Sequence, residues 1–157
     1  MFGLRRAVAD DSSRIWEVRY QAIQVGCREY YSEEDIRRWA SAPLYAEFPA
    51  LVEQTEFYVI ADAERIAAFG NLDLAKSEIG AMFVHPEFQG LGLGRRILST
   101  LEEIAVKSAL SSLSLVATLN AERFYAAAGF LSQERTKWKH PLGFELDCVP
   151  MYKKWTR

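Results

Sequence analysis

This chain has few of the side chains that bind metals or form bridges: two cysteines and two histidines in 157 residues. Cys27 and Cys148 lie far apart and form no metal-like pair, so both are expected to be reduced and separate, as in a cytosolic compartment. His85 and His140 lack ligand spacing, and no metal site is expected. No apolar run approaches the ~20 residues a membrane-spanning helix needs. The opening Met1-Phe2-Gly3-Leu4-Arg5-Arg6 lacks the apolar core of a signal peptide. Charge of either sign is not in excess either. With 19 Lys and Arg against 21 Asp and Glu, and a pI near 5.8, a general nucleic-acid binder is not expected. These absences predict a cytoplasmic protein without membrane or nucleic-acid partners.

Half the residues are hydrophobic, and the chain is long enough for one domain with a full core, residues 1–157. No linker, repeat or low-complexity segment divides it. Phe2 to Val8 reads as a first strand. Ile15, Val18 and Ala22, with Trp16 and Tyr20 beside them, predict a helix to about Val25, ended by Gly26. Ser32 and Asp35 resemble a capping box opening a second helix to about Ala40. Pro43 and Pro49 mark an irregular stretch. Three antiparallel strands then follow: Phe57 to Ala61, Ile66 to Leu72 and Glu78 to Val84. A helix from about Leu93 to Ser108 carries Ile97, Leu98, Leu101, Ile104 and Ala105 on one face. Leu113 to Ala117 is a short buried strand. Ala121 to Ala128 is a short helix closed by Gly129, with Asn120 as its candidate N-cap. Gln133 to Lys139 and Leu146 to Trp155 complete the sheet, and Pro150 points to an edge or a bulge in the last strand. The fold class is α+β.

Glycine is spent unevenly: Gly90, Gly92 and Gly94, three of nine, stand within five residues between a strand and a helix. Amides left bare at a helix start suit phosphate oxygens, aided by the helix dipole, and Arg95 and Arg96 add charge to the same turn. The dinucleotide fingerprint begun at Gly90 would need a third glycine where Arg95 stands, and no Gly-Lys pair supports a P-loop. Antiparallel strands before the loop also argue against a nucleotide-binding parallel sheet. Gln89-x-x-Gly92-x-Gly94 remains.

With this motif the sequence resembles the GNAT family of acyl-CoA-dependent N-acyltransferases, whose corresponding loop holds the pyrophosphate of coenzyme A. The order of elements matches the GNAT fold, a mixed, mostly antiparallel sheet flanked by helices and splayed between the strands around the cofactor helix. The resemblance is densest from Glu78 to Phe130. It implies acetyl-CoA as cosubstrate, held by Gln89, Gly90, Gly92, Gly94 and Arg95, with the pantetheine arm against main-chain groups of Met82, Phe83 and Val84.

Acetyl transfer to an amine requires an uncharged amine, a stabilised oxyanion and a protonated leaving thiolate. The stretch Asn120 to Phe130 resembles the family's N-x-x-A-x-x-x-Y-x-x-x-G-F pattern, with local departures at the alanines. It implies Tyr125 as the acid that protonates the thiolate, and Asn120 as a pantetheine contact. A phenol of pKa near 10 is protonated at neutrality. Packing for Tyr125 and capping for Asn120 are the competing readings. Glu78 matches the position of a family base acting through water; a solvated strand-end carboxylate is its equal alternative. A main-chain N–H near Val84 is expected to meet the oxyanion. His85 reads as part of a turn, not as a catalytic group.

The family's acceptor pocket maps to Arg28, Glu29, Tyr30, Tyr31, Trp39, Phe69 and Trp138. A small-molecule amine is the preferred acceptor. A protein or peptide N-acetyltransferase and a non-catalytic acyl-CoA-binding module remain alternatives. Dimers are frequent in the family, and the last strand, with Cys148, Val149, Met151 and Trp155, is the homodimer contact that the resemblance implies.

Overall fold

The computed structural model describes residues 2–155, and its centre is one mixed sheet. β1 (Gly3–Arg6) leads through a 3-10 turn at Ala9–Asp11 into α1 (Ser12–Gly26). α2 (Glu33–Ala40) and α3 (Phe48–Gln54) follow, then β2 (Glu56–Ala61), β3 (Ile66–Asp73) and β4 (Glu78–Val84). α4 (Leu93–Lys107), β5 (Ser112–Thr118) and α5 (Glu122–Ala127) come next, and β6 (Leu131–Ser132), β7 (Thr136–Lys139) and β8 (Glu145–Lys154) end the chain. The sheet order is β1-β2-β3-β4-β5-β8-β6, with β7 also paired to β8. Every pairing is antiparallel except β4 with β5.

Strand alternation divides the core. Phe57, Val59 and Ala61 join Phe69 under Ile15, Val18, Phe48 and Val52, while Ile60, Ala68 and Leu72 face Ile97, Leu98 and Leu101 of α4. A third cluster ties Ile23 and Cys27 to Ile36, Trp39, Phe144 and Leu146.

Three sequence expectations change. The stretch around Pro49 is helical, because a proline in the first turn has no intrahelical bond to lose, and Phe48 and Val52, four apart, bury one face. Of the strand expected over Gln133 to Lys139 only β7 forms; β6 lies before it, and pairing with β8 is interrupted between the two, opposite Pro150. Gln133 N–H donates to Pro150 O at 2.8 Å, so the missing N–H of Pro150 faces that interruption and costs the ladder nothing. β8 is therefore internal, and its Cys148, Val149 and Met151 are buried within this chain. Trp155 Nε1 donates to Leu110 O. Those three buried side chains are unavailable for the homodimer contact expected of them.

Candidate active site

β4 and β5 run parallel but share a single register pair, Glu78 with Ser114, and then part. Beyond it lies a cavity of about 820 Å³ lined by Glu78, Gly80, Ala81, Met82 and Phe83 on one side and Leu115 to Thr118 on the other. Just before this opening β4 bulges. Gly70 pairs with Met82 but Leu72 with Ile79, so Asn71 stands opposite the extra residue. The buried Asn71 side chain fills the irregularity: its Oδ1 accepts Ala81 N–H at 2.9 Å and its Nδ2 donates to Thr55 Oγ1.

The ladder decides which amides reach the cavity. His85 N–H donates to Ala67 O at 2.8 Å, which makes Ala68 and Val84 a non-hydrogen-bonded pair. By alternation Met82 is in the same situation, so Met82 and Val84 turn their N–H and C=O away from β3 toward the gap. Phe83, between them, gives its main-chain groups to Phe69 and offers only its side chain to the cavity. Of the three residues named for a pantetheine contact, two thus have amides free for it.

At the end of β4 the chain turns through His85 and a 3-10 turn, Pro86–Phe88, with His85 Nδ1 accepting Glu87 N–H. Gln89 Nε2 donates back to Val84 O at 3.1 Å, fastening the loop to the strand. Gly90 and Gly92 have φ of 79° and 77°, a region that L side chains avoid, and nothing lies within 4 Å of where a Cβ would stand. Gly92 is the N-cap of α4 and no side chain caps that end. The first-turn amides are left for an external acceptor. Gly94, inside the helix, packs against Phe124 and Val84 instead. Arg95 is exposed on that turn and lines a small cleft of about 180 Å³ with Ser99, Glu102 and Phe124.

Tyr125 combines both of its expected roles. Its ring is in the core, edge-on to Phe124 and Phe130. Its residue also lines the cavity, its Oη has no hydrogen-bond partner among the described residues, and no buried side-chain oxygen there is unpaired. The hydroxyl therefore lies at the cavity surface. Burial pushes its phenol above the ordinary value, so the proton stays in place at neutrality. Glu78 lines the same cavity where β4 begins. Asn120 does not cap α5, whose N-cap is Ala121; its Oδ1 accepts from Cys27 Sγ, pinning the end of α1. Burial pushes the Cys27 thiol up to about 12.

The far end of the cavity is aromatic. Trp16, Trp39, Tyr45, Phe69 and Trp138 line it, with Tyr31 between Asp147 O and Leu119 N–H. Burial raises the Tyr31 phenol to about 12. Arg28, Glu29 and Tyr30 are exposed and outside this cavity. A further charged group on the cavity wall is one the sequence reading passed over. Arg19 is only 8% exposed, donates to Trp39 O and Ala40 O, and lies 4.4 Å from the Trp16 ring centre. Desolvation lowers its pKa to about 10. His140, stacked on Phe144, is held below its usual value by burial and by Arg19. The available signal for Arg19 was its place among Ile15, Val18, Ala22 and Ile23, where helical spacing calls for an apolar residue. Among the described residues no three His, Cys, Asp or Glu side chains converge as a metal set, and no helix is long and apolar enough to cross a membrane.

Residues 27–154 match the profile of the acetyltransferase (GNAT) domain family. No curated protein sequence matches the chain significantly. Among solved structures it is similar to a GCN5-related N-acetyltransferase from Rhodopseudomonas palustris, at 24% identity and a TM-score of 0.90, covering 99% of this chain and 96% of that one. PaiA N-acetyltransferase from Thermoplasma acidophilum, solved in complex with coenzyme A, gives 18% identity and a TM-score of 0.80 over 99% of both chains. The ribosomal-protein-S18-alanine N-acetyltransferase of Escherichia coli gives 18% and 0.68, over 100% of this chain and 96% of that one.

Proposed function

The chain belongs to the GNAT acetyltransferase family, and from that premise we propose that it moves the acetyl group of acetyl-CoA directly onto the primary amine of a small molecule. One observation carries this reading. A cavity between the parted β4 and β5 is lined by Glu78, Met82 and Tyr125, and β4 runs on from it through Val84, whose N–H also faces away from β3, into a loop of bare amides.

Bound acetyl-CoA supplies the thioester carbonyl as electrophile and a thiolate as leaving group. The loop amides from Gly90 to Gly94 and the α4 N-terminus hold the pyrophosphate, and Arg95 adds a positive charge beside it. Gln89, bonded to Val84 O, keeps the loop in register with β4. Met82, through its N–H and C=O, and Val84, through its N–H since Gln89 already bonds its C=O, meet the pantetheine amides, and one of these N–H groups meets the carbonyl oxygen as it gains charge. Glu78 takes the proton of the incoming ammonium through water. The carbon–nitrogen bond forms first; as the carbon–sulfur bond breaks, Tyr125 Oη gives its proton to the sulfur, and the proton the nitrogen sheds on becoming an amide restores the phenol. Its high pKa suits the donor role, since it remains protonated until the thiolate develops. Asn120 acts through the α1 end, which it bonds, and so positions the wall of the acceptor side. Aromatic side chains from α1, α2 and the β7–β8 hairpin ring that acceptor side, which supports a small molecule over a folded protein.

Calorimetric titration of acetyl-CoA into the wild-type protein and into a Gly92→Glu variant, with folding checked by circular dichroism, tests the reading. Micromolar binding that is lost in the folded variant is expected, followed by thiol release with members of an amine panel. No binding to the wild type would overturn it. Tight binding without thiol release across the panel would favour an acyl-CoA-binding module instead.

A further inference from the structure

Arg19 is a cation that the fold buries without an anion. Its guanidinium has five N–H donors. One on each terminal nitrogen reaches a carbonyl of the last turn of α2: Nη2 to Trp39 O at 2.6 Å and Nη1 to Ala40 O at 3.2 Å. No carboxylate lies within ion-pair distance of it among the described residues. Its ring partner is Trp16, which Trp16 Nε1–H···O=C of Ala42 holds in place. An isolated buried charge is costly, and proteins pair such groups or use them. The carbonyl anchors hold the guanidinium in one place on the cavity wall, and three of its five N–H groups have no partner among the described residues.

The other charged residues on the cavity lie on different elements: Asp73, Lys76 and Glu78 around the β3–β4 turn, and Asp147 on β8. Asp147 is neutralised by Lys137 at 2.6 Å, and Asp73 accepts the N–H of Lys76. Glu78 has no ion-pair partner among the described residues. The cavity thus carries a fixed cation on α1 and an unpaired carboxylate at the start of β4, and Trp39, Phe69 and Trp138 belong to the same wall.

We propose that the acceptor carries a carboxylate as well as its amine: Arg19 binds the carboxylate, the aromatic wall covers an apolar body, and the amine faces Glu78. This rests on the acetyl-transfer reading above and narrows it to amino-acid-like acceptors. The ammonium gives one proton to Glu78, the amine nitrogen bonds to the acyl carbon, and the carbon–sulfur bond breaks; the second proton the nitrogen loses replaces the one Tyr125 gives to the sulfur, leaving an N-acetylated carboxylate and free coenzyme A. A carboxylate fits better than a phosphate because a planar, singly charged partner matches the planar guanidinium and its three remaining N–H groups.

The test is binding, with turnover as a second readout. 3-Phenylpropanoate, indole-3-propanoate and 4-methylpentanoate, each beside its matched carboxamide, are titrated by calorimetry into the protein with and without coenzyme A. At least one carboxylate is expected to bind about ten- to a hundredfold more tightly than its amide, the range of a desolvated charge-assisted bond. Arg19→Met removes that preference, and Arg19→Lys keeps part of it. In parallel, phenylalanine is acetylated with a higher kcat/KM than phenethylamine by the wild type, and the order is lost in Arg19→Met. An Arg19 that only caps α2 would change stability and leave the carboxylate-to-amide ratio untouched. Amides binding as well as carboxylates in all three pairs, or a preference surviving in Arg19→Met, overturns the proposal. So does a tighter fit of 2-phenylethylphosphonate, which would assign the anion to a phosphoryl group. If Arg19→Met fails to fold by circular dichroism, the wild-type ratios and Arg19→Lys still decide. Failure of acetyl-CoA to bind would sink the transfer reading while leaving the carboxylate titration to stand or fall by itself.

Discussion

Replacing Gly80 by alanine asks whether the Asn71 side chain holds the bulge that precedes the cavity. A Cβ at Gly80 would stand 2.8 Å from Asn71 Oδ1, 3.1 Å from Nδ2 and 3.3 Å from Cγ, so the carboxamide must move. It would take with it the bond to Ala81 N–H at 2.9 Å and the longer one to Thr55 Oγ1 at 3.4 Å. A donor left unpaired in a half-buried place costs about 1–3 kcal/mol, and the weaker bond adds about 0.5 kcal/mol. The sum, about 2 kcal/mol, lowers the melting temperature by roughly 4–8 °C for a chain of this size. Urea and thermal unfolding of Gly80→Ala, Asn71→Ala and the double variant form a cycle. All three nearest atoms belong to the Asn71 carboxamide, so with Asn71 truncated Gly80→Ala is expected to cost less than about 0.5 kcal/mol, and the coupling is about 2 kcal/mol. Equal costs of Gly80→Ala in both backgrounds would refute the reasoning, since the clash with Asn71 would then not be the cause.

Tyr125→Phe is expected to lower kcat at least about tenfold while leaving stability and acetyl-CoA affinity close to wild type, because Oη bonds nothing in the chain; steady-state kinetics with calorimetry check both halves. Alkali should unfold the protein readily. The Cys27 thiol is raised by burial from 9.0 to about 12, so above pH 9 the unfolded chain ionises first and stability falls as pH rises. Cys27→Ala should flatten the stability profile between pH 9 and 10 in urea titrations, and an unchanged slope would count against this assignment. At the acid end, hydrogen bonding by Arg5 holds the Asp11 carboxyl below its usual range against the opposing cost of burial, with Val8 N–H and Arg14 adding to it. That contribution is present above pH ~4 and lost as pH falls through the lowered pKa. Asp11→Asn should cost about 1–2 kcal/mol at pH 7, discounted because Arg5 and Arg14 are half exposed, and should give a shallower acid limb.

How much the sequence disclosed varied with the kind of force involved. Local rules carried far: Ser32 accepts Asp35 N–H as its spacing implied, Gly92 and Leu93 open α4, and β4 runs from Glu78 to Val84 as its apolar pattern suggested. Pro49 misled because a proline marks either a break or a first turn, and only the burial of Phe48 and Val52 separates the two. On the site side, glycines at positive φ advertise themselves, as Gly90 and Gly92 do. Which amides of β4 are free depends on the register with β3, a long-range property no residue type encodes. The cap expected of Asn120 fails for the same reason, since its side chain is taken by Cys27 at the end of a distant helix. Arg19 was legible in principle as a charge on an apolar stripe, but the cavity giving it meaning exists only once α1, α2 and the sheet meet.

The single register pair between β4 and β5 has a consequence for how the molecule holds together. Hydrogen bonding nearly stops there, so the sheet is two half-sheets, β1–β4 and β5–β8, and the gap between them invites whatever guest can serve as a temporary strand. A guest present at a hundred times its Kd adds about 2.7 kcal/mol to folding by mass action. Amide exchange at Met82 and Val84 would then report supply: fast when the guest is scarce, slow when it is plentiful. The protein's own lifetime against unfolding and proteolysis thereby becomes coupled to how much of that guest its surroundings hold.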